Sequence, residues 1–183
     1  MRKSPTLVVR LTFPWGILLQ YFEVSDRLAP FMNPDDTDNH KMDGLSNSEQ
    51  CFAKWLLGDK VYKNNRFKLI PYVAEGPWVV RNMVTGKPAL IGKKLPVVYR
   101  YTPPEPHPLK PSEIRHGFLV VDLDIGNSSA TAKRIVSVCR RYMSALTVDI
   151  GFVIEGQSPQ ELPEQMLGSV RIHQMDPLKS PRL

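Results

Sequence analysis

Residues 118–155 read FLVVDLDIGNSSATAKRIVSVCRRYMSALTVDIGFVIE, and their periodicity changes twice. Leu119, Val121, Leu123 and Ile125 alternate with Phe118, Val120, Asp122 and Asp124, the period of a strand with both aspartates on one face. Asn127 or Ser128 then stands where a helix cap is expected. Over Ser129 to Leu146, Ile135, Cys139, Tyr142 and Leu146 recur at helical spacing, widened by Val138 and Met143. The opposite side carries Lys133, Ser137, Arg140 and Ser144, flanked by Arg134 and Arg141. Val148, Ile150, Phe152 and Ile154 restore the alternation, so the stretch predicts a strand, an amphipathic helix and a second strand.

Outward from this unit the pattern is one of short strands. Phe67 to Val73, Trp78 to Val84 and Leu90 to Tyr101 are rich in β-branched and aromatic residues, with turn signals at Gly76-Pro77 and Thr85-Gly86-Lys87-Pro88. Pro71 and Pro96 push two of these strands towards a sheet edge or a break. The segment 102–115 contains Pro103, Pro104, Pro106, Pro108 and Pro111 and predicts a stiff surface excursion between strands. Residues 5–13 predict a strand, 15–31 a mixed helical or irregular segment, and 33–47 an exposed acidic loop. That loop lacks the glycine and distal Glu of a calcium loop. Ser48 to Leu57 predicts a short helix capped by Ser48, and Leu167 to Ile172 a last strand before a polar, proline-bearing tail. The expected architecture is one α+β domain over 1–183: a largely antiparallel sheet packed by the long amphipathic helix, with shorter helices near the N-terminus.

A chain of 183 residues can bury roughly two thirds of its unfolded surface without a staple. Cys51 and Cys139 match no metal spacing and predict reduced thiols in an intracellular protein. The basic start Met1-Arg2-Lys3 and the apolar run after it are interrupted by Arg10 and Pro14, against a targeting signal. No uninterrupted run approaches the ~20 apolar residues that cross a bilayer, so membrane contact is expected to be peripheral and the location cytoplasmic. Lys and Arg total 24 against 18 Asp and Glu, a net charge of +6 that favours anionic surfaces.

The order of motifs Arg66-Phe67-Lys68-Leu69-Ile70-Pro71, Gly76-Pro77-Trp78-Val79-Val80, Val121-Asp122-Leu123-Asp124-Ile125-Gly126, Glu161-Leu162-Pro163-Glu164 and Leu167-Gly168-Ser169-Val170-Arg171 resembles the enhanced disease resistance 2 C-terminal domain family of plants and algae. The resemblance covers residues 66–176, reaches weakly to the strand at Leu7 to Phe13, and departs in the proline-rich insertion at 102–115. Its molecular function is unknown and it implies no catalytic residue. In plants the family's domain follows a pleckstrin-homology domain and a lipid-transfer-type domain, so the resemblance implies work near membranes and lipids.

Several constellations bear on chemistry. Asp122 and Asp124 could offer oxygen ligands to a divalent metal in a transferase, with Asp149 as a third, but at a strand end before a helix the expected role is pairing with basic residues or backbone amides. Gly156-Gln157-Ser158-Pro159-Gln160 lacks the closing glycine of a nucleophile elbow, and no phosphate loop or dinucleotide fingerprint is present. Neither a metal nor a cofactor nor an enzymatic role is expected. Lys133, Arg134, Arg140 and Arg141, with Arg66 and Lys68, form the candidate site for anionic lipid headgroups. Phe67, Tyr72, Trp78, Tyr99 and Tyr101 are candidates to line an apolar cavity for a lipid. The expected role is a non-catalytic lipid- or membrane-associated module. The alternatives are a protein-interaction scaffold using the proline-rich loop and the metal-dependent transferase. No RNA-binding signature is present, nucleic acid is not the expected partner, and the oligomeric state is left open.

Overall fold

In the computed structural model, residues 4–176 and Lys179 are described, so the basic start Met1-Arg2-Lys3 and most of the proline-bearing tail lie outside the described residues. The strands are β1 (Thr6–Phe13), β2 (Gly16–Glu23), β3 (Phe67–Glu75), β4 (Ala89–Leu90), β5 (Val97–Thr102), β6 (Glu105–His107), β7 (Lys110–Arg115), β8 (Phe118–Asp124), β9 (Thr147–Ile154) and β10 (Met166–His173). The helices are α1 (Asn47–Leu57), α2 (Lys60–Asn64), α3 (Trp78–Val84) and α4 (Ala130–Tyr142). The strands form not one sheet but two of four strands, ordered β2-β1-β8-β5 and β10-β9-β3-β4, with β6 and β7 as a separate ribbon. The pairing is antiparallel throughout except between β1 and β8. The chain is thus α+β with antiparallel-rich sheets.

Both sheets turn their apolar alternates into one core. Leu7, Val9 and Leu11 of β1 and Leu119, Val121 and Leu123 of β8 meet Phe67 of β3 and Phe152 and Ile154 of β9. Phe22 of β2 packs edge-on to Phe152, whose ring stacks on Phe67 at 5.3 Å. At Gly168 in β10 the sheets approach closely, for a Cβ built there would lie 2.1 Å from the Phe22 ring. The helix that fills this core is α1, which buries Cys51, Phe52, Ala53, Trp55 and Leu56. It is capped by Ser46 rather than Ser48, through a capping box with Glu49 that satisfies the first-turn amides reciprocally.

The amphipathic helix α4 buries no residue completely. Its Val136 touches the main core, while Val138 and Cys139 pack on a smaller cluster of Val73, Val80 and Leu146 that also takes in Val84 of α3. So α4 and α3 together cover that cluster. The stripe expected from the spacing is correspondingly altered: the α-helix ends at Tyr142, which is 36% exposed, and Leu146 is buried beyond the helix. Cys51 and Cys139 are free thiols.

Four other segments differ from expectation. The run Gly16–Glu23 is a strand, its alternation masked because Ile17, Leu19 and Tyr21 are apolar yet exposed on the outer face. Residues 78–84 form a helix and not a strand, because Val80 and Val84 stand one helical turn apart and both reach the α4 cluster. The run 90–101 is broken by a 3-10 turn at Ile91–Lys93, leaving Val97–Thr102 as its strand. The proline-rich excursion is a ribbon in which Glu105 opposes Arg115 and Pro106 opposes Ile114. A two-stranded ribbon has a free edge on each strand, which tolerates missing N–H donors. Pro71 is tolerated similarly, since β4 pairs only with Lys68 and Leu69 and has ended before Pro71 is reached.

Candidate functional site

Helix α4 begins where Ser129 accepts the Ala132 amide. Its sequence carries no acidic residue, and Lys133, Arg134, Arg140 and Arg141 are all exposed. Among the described residues none of the four makes an ion pair within 4.0 Å. The carboxylates that could have neutralised them are used elsewhere. Asp122 is gripped by Arg10, Nε to Oδ1 at 3.1 Å and Nη2 to Oδ2 at 3.1 Å, with Arg100 at 3.8 Å. Asp149 is held in a two-pronged bond by Arg171 at 2.7 Å, and Glu155 pairs with Lys68 at 3.0 Å. Asp124 accepts the Asn127 side-chain and backbone N–H groups at 2.7 and 3.1 Å. Those bonds, with a smaller pull from Lys133, hold its carboxyl below the ordinary value.

Arg140 has a different neighbour. Its guanidinium lies 4.9 Å from the ring centre of Trp15, which stacks on Phe13 at 5.1 Å. Phe13 ends β1 and Trp15 lies in the turn between β1 and β2, so a residue from the opposite end of the sequence helps hold the cationic face. Nothing in the spacing of the helix points to Trp15. The signal available was an aromatic in a tight turn, where a ring is left free to take a cation.

Arg66 and Lys68 do not join this surface. Arg66 donates to Glu161 Oε2 at 2.8 Å and to the Glu155 carbonyl at 3.2 Å, and its guanidinium covers the Tyr62 ring at 4.3 Å. Burial lowers its pKa, but the Glu161 hydrogen bond and the charges of Tyr62, Glu161 and Cys51 together outweigh burial and leave it raised. Lys68 lies between Glu155 and Glu164, each at 3.0 Å; burial opposes its charge and the two hydrogen-bonded carboxylates restore it. These two cations lock β3 to the segment after β9, where their charge is already answered.

The five aromatics are also dispersed. Phe67 is fully buried and stacked in the core. Tyr99 packs edge-on to Trp55, donates to Asn64 Oδ1 at 3.0 Å, and has its hydroxyl pKa pushed up by burial. Tyr101 packs at the core margin. Tyr72 is 49% exposed and Trp78 76% exposed. They line no common cavity, because alternation sends Phe67 inward and Tyr72 outward on β3, while α3 turns Trp78 into solvent. The two clefts of note, of about 300 and 170 Å³, are bordered by none of the five. Asp122 and Asp124 lie in one sheet and Asp149 in the other, and among the described residues no three His, Cys, Asp or Glu side chains gather as metal ligands. No helix of the described residues is long and apolar enough to cross a membrane.

The fold and surface define an α+β domain of two packed sheets with a cationic helix at its margin. The chain belongs to the family described as Protein ENHANCED DISEASE RESISTANCE 2, C-terminal, whose model matches residues 1–176. The match includes the segment before Arg66, where the motif resemblance reached only weakly, to the strand at Leu7 to Phe13. The chain is also similar to a Protein ENHANCED DISEASE RESISTANCE 2-like of Arabidopsis thaliana, 32% identical over 125 residues. That alignment covers 68% of this chain and 15% of the plant protein, so the chain corresponds to a small part of the relative. No solved structure matches it significantly.

Proposed function

We propose that this chain is a non-catalytic, peripheral docking module that holds anionic membrane headgroups on the outer face of α4. The observation that carries the reading is the set Lys133, Arg134, Arg140 and Arg141, exposed on one acid-free helix while Asp122, Asp149 and Glu155 are engaged by other cations. Cations near an anionic leaflet contribute about 1 kcal/mol each, so four supply on the order of 4 kcal/mol, enough for reversible association. Arg66 and Lys68 take no part in it, and the lipid contact is a surface contact, since the aromatic residues do not enclose a hollow.

Co-sedimentation with phosphatidylcholine vesicles, with and without phosphatidylserine or a phosphoinositide, tests the proposal. Binding is expected only to the anionic vesicles, to fall steeply with salt, and to drop by about tenfold or more when Lys133, Arg134, Arg140 and Arg141 are changed to Gln. Equal binding by the fourfold variant would remove the reading. A protein-interaction role for the β6–β7 ribbon is the second reading, supported by Leu109, 86% exposed at its tip, and Ile114, 61% exposed on β7. Replacing both by Ser and comparing captured partners tests it; an unchanged set would discredit it.

A further inference from the structure

Trp78 and Val79 open α3 with 76% and 39% of their surface in solvent. Their exposure is built into the chain path. Val80 is fully buried against Val73 and Leu146, and Val84 packs on the same cluster beside Val138 and Cys139 of α4. Successive helical residues turn by about 100°, so Trp78 stands roughly 200° from Val80 and away from the cluster. The approach to the helix is fixed at Gly76, whose φ is +142°, a conformation that favours glycine, and where an added Cβ would lie 2.3 Å from Leu146 Cδ2.

The cluster sets α3 beside α4. Between them the two helices carry Arg81, Lys133, Arg134, Arg140 and Arg141 and no Asp or Glu. We infer that Trp78 and Val79 are the insertion element of an anionic leaflet contact, entering the interfacial zone while the α4 cations hold the headgroups. This rests on the docking role proposed above and adds the apolar half of the contact. An indole has a flat apolar body and an N–H that prefers a hydrated partner, the combination that places Trp at the membrane–water boundary. A leaflet suits the patch better than a protein does, because a stable protein interface needs about 800 Å² per partner and the protruding apolar surface here is two side chains. The charge that the two helices carry has one sign and complements anionic headgroups.

The test uses the chain with phosphatidylserine-containing vesicles whose acyl chains are brominated near the headgroup, reading tryptophan emission. Trp55 is fully buried and Trp15 half-buried under Arg140, so Trp78 is the indole available to a leaflet. Emission should shift to the blue and be quenched, and Trp78→Phe should abolish the quenching while Trp15→Phe retains it. Trp78→Ala should weaken vesicle association about tenfold, the effect of withdrawing roughly 55 Å² of apolar surface from the interface. Val79→Ser should weaken it less. Vesicle binding without quenching, with Trp78→Ala binding as well as the parent, overturns the insertion element and leaves α4 docking standing. No binding to anionic vesicles overturns both. Self-association of the free chain that Trp78→Ala abolishes assigns the patch to a second copy and also overturns the inference.

Discussion

Arg66 and Glu161 meet at 2.8 Å with side chains only 12% and 8% exposed, joining the start of β3 to the turn that precedes β10. Glu161 Oε2 also accepts the Gln157 amide at 2.8 Å. An ion pair so enclosed is costly to break from one side, because the surviving charge is left buried. Glu161→Ala should therefore lose about 3 kcal/mol in urea unfolding. The pair Arg66→Met with Glu161→Leu should lose clearly less, since it removes both charges together. A double variant no more stable than Glu161→Ala would place the cost in packing and not in the orphaned guanidinium.

The same pair predicts an acid limit. Burial raises the pKa of Glu161, but the Arg66 hydrogen bond, the Gln157 amide and the charges of Arg66 and Lys54 outweigh burial and bring it below its ordinary value of 4.5. A carboxyl depressed in the folded state contributes stability that is fully present above 4.5 and is lost as pH falls through the lower folded value. Urea midpoints followed from roughly pH 6 to pH 3 should fall steeply at the acid end, and fall less in Glu161→Gln. Parallel curves for the two proteins would show that Glu161 is not a group responsible.

These interactions mark where the sequence could and could not be read. The unit from Phe118 to Ile154 was legible because each element carries a single periodicity, and the outward cations of α4 follow from helical spacing alone. The partners of Arg66 and Lys68 were not, since Glu161 and Glu164 lie far along the chain and meet them only once β3 pairs with β9. Trp78 misled for a local reason: valines favour strands, and only the burial of Val80 and the packing of Val84 beside α4 make the segment helical. The strand β2 was hidden because its solvent face is itself apolar.

The closeness of the sheets at Gly168 predicts that even one methyl is too many. A Cβ there would stand 2.1 Å from Phe22 Cδ1, and Phe22 is itself wedged against Phe152. Gly168→Ala should cost about 1–3 kcal/mol as the ring is displaced. Combining it with Phe22→Leu should recover part of that loss, because the smaller side chain vacates the space. If Gly168→Ala melts with the parent, β2 and β10 do not approach as described.

Gln20 predicts a gain. It is 3% exposed on the inner face of β2, opposite Val9, and both its Nε2 and its Oε1 lack a hydrogen-bond partner among the described residues. A buried amide left unpaired gives up its hydration without compensation, at about 1–3 kcal/mol. Met has similar length and no donor or strong acceptor, so Gln20→Met should raise unfolding stability by about 1 kcal/mol or more with little change of packing. Gln20→Ala should instead lose stability, because it trades the unpaired amide for a void. A fall in stability for Gln20→Met would mean that the amide has a partner in solution, and that the polar group between the sheets is held rather than stranded.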